Sequence, residues 1–581
     1  MTTDTPQSYS IRKEADRIFR DVLLRDARLQ LPAKVLELAG RTSFNAPDTV
    51  DTPFLPVPLR FAEVSAALWA LAGTLGSAVA RDRFGAEAAG GAQDVTVNTD
   101  LAALFLASAV LARVNGKPLS DPAVAAVWGR YDLGRMADPW RRFCTNVYPT
   151  RDGRWFHLHG SMNADRSLAM LGLPRDDAAV STQEEAVAVY ADAVRRHDAE
   201  WLDVEANEHW RQAGTVCLTR DEFDATEQGR ATAADGLYIL SRHDDASQNP
   251  LPPVPYPAVR DPNDRKPLRG IKMVDISRVI AAPTVARLAA FFGATVVRVS
   301  HAGQPEVGAL LMDGNLGKRD ASLDLKSGDG RAALRRLVED ADVVLDGYRP
   351  GALDRLGFGQ AYLHALARRR GKGMVVVREN CYGWSGPWAG RSGWQQISDC
   401  VTGVSWMMGE FLGLDEPVVP PLPSSDYQTG LVGLIGILTA IDKRATEGGS
   451  YTVDISLNQF NRFLLAQGAL APEVQRGLRE LHPTFRPRHH DDMMALLTKV
   501  MGSLQAAVPR LFRPAYFDSI PSDLGGGGGG GPAGTKDVLT YLRLPVELGV
   551  TPLGPAVGSC LPGTHKAEWP QDEGGEASGA L

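Results

Sequence analysis

The stretch LRGIKMVDISRVIAAPTVARLAAFFGATVVRVS, residues 268–300, decides the fold class. It opens on IKMVDIS (271–277), an apolar run of strand length. It then passes through PTVARLAAFFG (283–293), a helical pattern stopped by glycine, and closes on TVVRVS (295–300), a second strand. Strand, helix and strand in succession form a crossover unit, which joins parallel strands. Downstream, GDGRAALRRLVEDA (328–341) reads as helix, DVVLDGY (342–348) as strand, LHALARRRG (363–371) as helix and MVVVREN (374–380) as strand. The pattern predicts an α/β protein with a doubly wound parallel sheet. Such sheets bind ligands beyond the C-terminal ends of their strands.

Working outward, SQNPLPPVPYPAVRDPNDRKP (247–267) precedes this unit and reads as a linker, since proline fixes φ and opposes regular structure. Before it, residues 1–49 read as a charged helical lead-in. Residues 50–246 read as mostly helical, with one strand-like piece, RWFHLHG (154–160), after the turn RDG. The sheet-bearing unit is expected over 268–465, followed by a C-terminal region over 466–581. That tail carries GGGGGGG (525–531), either a flexible linker or a loop that closes over a site. An internal echo also shows: PVPLRFAEVSAALWALAGTLGSAVARDR (56–83) lines up with PLPSSDYQTGLVGLIGILTAIDKR (421–444), and DVTVNTDLAALFL (94–106) with YTVDISLNQFNRFL (451–464). In that register Phe61 falls opposite Asp426, as if one copy of a duplicated unit had lost a carboxylate.

The 581 residues carry a net charge of -7, which points to neither nucleic acid nor an anionic membrane as partner. Five scattered cysteines with no C-x-x-C pair fit a reducing compartment. The N-terminus lacks the apolar core of a signal peptide. The longest apolar run, 430–441, is too short for a bilayer of about 30 Å. The expectation is a cytoplasmic protein.

PLPSSDYQTG (421–430) sets one carboxylate, Asp426, where a proline-rich loop meets that apolar run. It either caps a helix or stands at the helix mouth as a nucleophile. A helix N-terminus, carrying roughly half a positive charge, would favour its ionised form. Other chemistries are excluded by pattern. No G-x-G-x-x-G follows the first strand, GNLGKRD (314–320) lacks phosphate-loop spacing, and no G-x-S-x-G elbow is present. RHHDD (488–492) reads as a solvated turn and His157 with His159 as core or surface polar residues, so no metal site is expected.

The chain resembles the family III CoA-transferases, the CaiB/BaiF group that includes formyl-CoA transferase, carnitine CoA-transferase and α-methylacyl-CoA racemase. The likeness runs in order through residues 268–300, NLGKRDASLDLKSGDGRAAL (315–334), ADVVLDGYRPGALDRLGFG (341–359), CYGWSGPWAGRSG (381–393) and SDYQTGLVGLIGILTAI (425–441). It implies a Rossmann-like large domain with a smaller α+β domain, preceded by a degenerate CoA-transferase-like half. YPTRDGRWFHLHGSMNADRSLAMLGLP (148–174) resembles the family's small-domain opening, and GTVCLTRDEFDATEQGRA (214–231) a later region.

The resemblance makes Asp426 the nucleophile that attacks an acyl-CoA and comes to hold CoA as a thioester. Coenzyme A enters as a substrate, not a resident cofactor, and the second partner is a small carboxylic acid. CoA contacts are implied for Val279, Ile280 and Ala281 in the first turn, His301 after the second strand, Leu323 and Lys326, and Tyr348, Ala352 and Arg355. Gly527, Gly528, Gly529 and Gly530 would correspond to the glycine loop over the nucleophile. Family members form interlocked dimers, so either a homodimer or a pseudo-dimer within one chain is implied.

Four positions depart from the family pattern. An acid after the GRSG loop is Gln395, the racemase histidine is Trp394, an acid ending the second strand is Ser300, and the asparagine of Asn-x-x-Pro-Gly is Gly347. Without the histidine, racemisation lacks one of its two proton-transfer partners. A racemase or lyase using Asp426 as base, or a non-catalytic CoA-binding protein, are the alternatives.

Overall fold

The structure, a computed structural model, describes residues 9–46, 51–85, 93–243, 250–259, 261, 263–525 and 536–570. Its centre is a seven-stranded sheet. The strands are β1 (Tyr238–Arg242), β2 (Lys272–Ile276), β3 (Thr295–Ser300), β4 (Lys318–Ser322), β5 (Val343–Asp346), β6 (Val375–Asn380) and β7 (Tyr451–Ser456). Their spatial order is β4-β3-β2-β5-β6-β7-β1. β2 to β7 are parallel, and β1 adds antiparallel to β7. The α/β, doubly wound reading therefore holds, with helices such as Ala281–Phe291 and Gly328–Glu339 as crossovers. From β2 the chain builds β3 and β4 on one side, then returns to place β5 on the other. The resulting crevice between β2 and β5 is the topological switch point of the sheet.

β1 lies before the proline-rich stretch and the other six strands after it, so one hydrogen-bonded ladder crosses the expected boundary at 247–267. The described part of that stretch is strapped to the domain. Val254 N–H donates to Arg444 O (3.0 Å), Gly449 N–H donates to Leu251 O (3.0 Å), and both apolar side chains are buried. The C-terminal region is also interleaved with the first half. Phe517–Ser522 pairs with Asp537–Leu542, which continues onto Arg113–Val114.

The internal echo has a structural counterpart. Helix Phe61–Phe84 leads into strand Val95–Asn98, as helix Ser424–Thr446 leads into β7. Val95–Asn98 has one parallel neighbour, Thr42–Asn45, and one antiparallel neighbour, Val546–Leu548. β7 likewise has β6 parallel and β1 antiparallel. In each case the antiparallel strand comes from the other half of the chain. The two long helices pack on one another within one continuous core. Phe61–Phe84 is long and apolar enough to cross a membrane, which a reading confined to 430–441 misses. Its most apolar 18-residue window is wholly buried inside the protein, as in a core helix.

Candidate active site

Asp426 is the third residue of helix Ser424–Thr446, within its first turn. Its side chain makes no hydrogen bond or ion pair among the described residues, so it does not cap the helix. It opens instead onto a cavity of about 630 Å³ at the sheet's switch point, the size of a small-ligand site. Close helix packing places it there. At Gly430 an added Cβ would stand 2.8 Å from Ala281 O and 2.6 Å from Thr284 Cβ. Only glycine lets helix Ala281–Phe291 approach so near. The turn Val279–Ile280–Ala281 is thereby brought to the same cavity as Asp426. Val279 itself adopts φ +81°, a left-handed conformation costly for a β-branched residue.

The expectation that the helix end favours an ionised Asp426 is corrected by its surroundings. Burial raises its carboxyl well above the usual range, and Glu379 and Asp399 raise it further. A helix N-terminus contributes about 0.3–1 kcal/mol, while one pKa unit is about 1.4 kcal/mol, so desolvation beside two acids outweighs it. Asp399 belongs to helix Gln395–Val401 and accepts hydrogen bonds from Asn461 Nδ2 (2.8 Å), Ser425 Oγ (3.2 Å) and Gln395 Nε2. Burial pushes it up to about 7 against those bonds. Gln395 stands where the family pattern has an acid. The chain carries an acid one helical turn later, in contact with that glutamine. Glu379, at the end of β6, also lines the cavity, and burial with the nearby Asp346 pushes it up to about 8.

The same cavity is also lined by cations. Arg166, Arg278, Arg349 and Arg355 line it, and none has a carboxylate partner among the described residues. Arg278 lies 5.1 Å over the Tyr348 ring and donates to Pro305 O (3.1 Å), which holds it at the rim. The first half of the chain supplies a wall through Ser161, Met162 and Gln212. Ser161 Oγ donates to Gln212 Oε1 (2.7 Å) and receives the Trp394 indole N–H (3.3 Å).

Of the residues expected at the site, the structure brings Asp426, Val279, Ile280, Ala281, Tyr348, Ala352 and Arg355 to one cavity. His301, Leu323 and Lys326 lie outside its lining. His301 Nε2 is 4.0 Å from Asp324, Leu323 packs on the core beneath the sheet, and Lys326 is exposed. Gly527–Gly530 fall outside the described residues. Glu379, Asp399 and the arginines at 166, 278 and 349 were missed. One signal for Glu379 was available, an acid ending the apolar strand VVVREN where such sheets bind ligands. Gly347 has a physical reason. A Cβ there would lie 2.5 Å from Ala282 Cβ and 2.7 Å from Ser277 Cβ, so an asparagine does not fit.

The CoA-transferase family III model matches residues 268–488. The "Acetyl-coenzyme A transferase nodX" of Hypoxylon pulicicidum is 38% identical over 85% of this chain and 84% of its own length. An "Acyl-CoA transferase" of Gibberella moniliformis is 34% identical over 71% and 72%. A CAIB/BAIF family crystal structure from Brucella suis is 28% identical over 35% of this chain and 56% of its own, with a TM-score of 0.31. The chain belongs to the family III CoA-transferases. It is an enzyme whose reaction passes CoA between an acyl-CoA and a carboxylic acid.

Proposed function

We propose that Asp426 is the nucleophile of this transfer. Its carboxylate attacks the thioester carbonyl; a C–O bond forms, the C–S bond breaks and CoA leaves as thiolate. The thiolate then attacks the Asp426 carbonyl of the mixed anhydride, releasing the donor's acid and leaving an aspartyl-CoA thioester. The acceptor carboxylate attacks that thioester and forms a second anhydride. Thiolate attack on the acceptor carbonyl then yields the new acyl-CoA and frees Asp426. The supporting observation is Asp426 itself, an unpartnered carboxyl facing a cavity that four arginines without carboxylate partners also line. A ligand that carries both an acyl thioester and phosphates is what such a lining complements.

On this reading Arg278 and Arg355, with Arg349 and Arg166, meet the phosphates of CoA, and Val279, Ile280, Ala281, Tyr348 and Ala352 line its path. His301 and Leu323 are assigned to the adenosine end, beyond the cavity, and Lys326 to a phosphate there. The exchanged antiparallel strands support one chain acting as an intramolecular pseudo-dimer, with Phe61 in place of a second nucleophile. One reactive site per chain and a monomer mass by light scattering are expected. A clear dimer mass would overturn the pseudo-dimer.

Covalent trapping tests the nucleophile. The protein is incubated with acyl-CoAs, beginning with acetyl-CoA in view of the relative's name, then treated with hydroxylamine or borohydride and mapped by mass spectrometry. Modification at Asp426 that needs acyl-CoA supports the reading. An unmodified Asp426 in protein that binds CoA sinks it.

A further inference from the structure

Glu379 is the one other acid at this cavity that neither an ion pair nor a hydrogen bond engages among the described residues. Asp165, the third, is tied to Arg141 (2.7 Å). Strand alternation explains where Glu379 points. It shares a face of β6 with Val375 and Val377, which pack in the core that holds helix Ser424–Thr446. Glu379 therefore ends the sheet face that carries Asp426.

The charged groups around it are acids or are already engaged. Asp346 ends β5, Asp426 and Asp399 come from the two helices, and Cys381 follows on its own chain. Arg378, its neighbour, is bound through two 2.7 Å contacts to Asp454. Arg391 at the cavity edge is tied to Asp203 (3.0 Å) and Glu208 (3.1 Å). The free cations, Arg278, Arg349, Arg355 and Arg166, line the same cavity.

The reaction must admit a carboxylate to this acid-rich end twice, once as the leaving acid and once as the acceptor. An ionised Glu379 would repel it, and the adjacent Arg378 and the edge residue Arg391 are both committed to carboxylates of their own. We propose that Glu379 is a second catalytic carboxyl, which in its neutral form donates a hydrogen bond to the carboxylate of the exchanging acid. No proton is consumed. The Glu379 hydroxyl holds the carboxylate while it leaves the first mixed anhydride and again while it attacks the aspartyl-CoA thioester. Burial pushes Glu379 up to about 8, which favours its neutral form.

The inference rests on Asp426 as nucleophile. It is tested on the full chain by exchange of a labelled acid into its own CoA ester, with the acyl-CoA that labels Asp426 as donor. Glu379→Ala is expected to raise the KM for the acid roughly 10- to 100-fold, the size of one hydrogen bond to a charged group, with the Kd for CoA unchanged. Wild-type exchange is expected to fall as pH rises through about 8. Glu379→Gln, a neutral donor of similar shape, is expected to keep exchange and lose that fall. Exchange by Glu379→Ala with the wild-type KM and pH profile overturns the role. If Glu379→Ala does not fold, an alkaline fall persisting in Glu379→Gln overturns it. Failure of Asp426 to label in the wild type defeats the parent reading; labelling with wild-type behaviour in both Glu379 variants defeats this one alone.

Discussion

Trp394 lies flat against His159, ring centroids 5.1 Å apart and planes 6° from parallel. The stack joins the cavity-lining loop of the second half to the three-stranded sheet of the first. His157 stacks behind at 5.6 Å, completing a ladder of rings whose two histidines are buried. The residue in the racemase histidine's place is thus a structural wall, and its indole N–H is spent on Ser161.

That ladder makes the fold acid-sensitive. Burial lowers His157 to about 4, and its Nδ1 has no hydrogen-bond partner. The unfolded chain, with histidine near 6.5, binds the proton more readily than the native state. Stability from this group is therefore complete above about pH 6.5 and lost as pH falls toward 4, at most about 3 kcal/mol. Thermal unfolding between pH 7.5 and 4.5 measures this, and His157→Phe is expected to flatten the dependence.

Asp399→Asn is expected to move the acid limb of the activity profile to lower pH. Asp399 is one of the two acids that hold Asp426 above its usual range. Removing its charge makes Asp426 easier to ionise, so nucleophile becomes available at lower pH. The pH dependence of Asp426 labelling reads this directly. A limb that stays in place or moves upward would contradict it.

Gly347→Asn, which restores the family's residue, is expected to destabilise the protein by about 1–3 kcal/mol, the usual cost of overpacking. Ala282 and Ser277 occupy the space that the side chain needs. Denaturant titration is the measurement, and an unchanged midpoint would show that the neighbouring helix yields.

Arg278→Ala and Arg355→Ala are each expected to weaken CoA binding roughly tenfold, about 1.4 kcal/mol. They should weaken dephospho-CoA or pantetheine binding unequally, according to which phosphate each meets. Calorimetric titration with the three ligands separates the roles, and equal loss against pantetheine would remove the phosphate assignment.

The sequence by itself determined four neighbouring strands of the sheet. β2, β3, β5 and β6 were readable because a strand buried on both faces is a short apolar run, and each was bounded by a helix with its own period. It also singled out Asp426, since a lone carboxylate in an apolar run is conspicuous in one dimension. β4 was hidden in KRDAS, where three of five residues are charged. There Lys318 is buried and paired with Asp275 at 2.7 Å, a compensation that no local pattern shows. Tertiary structure alone decided that β1 crosses the proline-rich stretch to close the sheet, that Val546–Leu548 makes the reciprocal exchange, and that Glu379 and Asp399 stand beside Asp426. Periodicity reports which face of an element is buried, not against what. Strand exchange and a shared cavity are relations between distant segments, set by packing and by the desolvation of charges that meet only once the chain has folded.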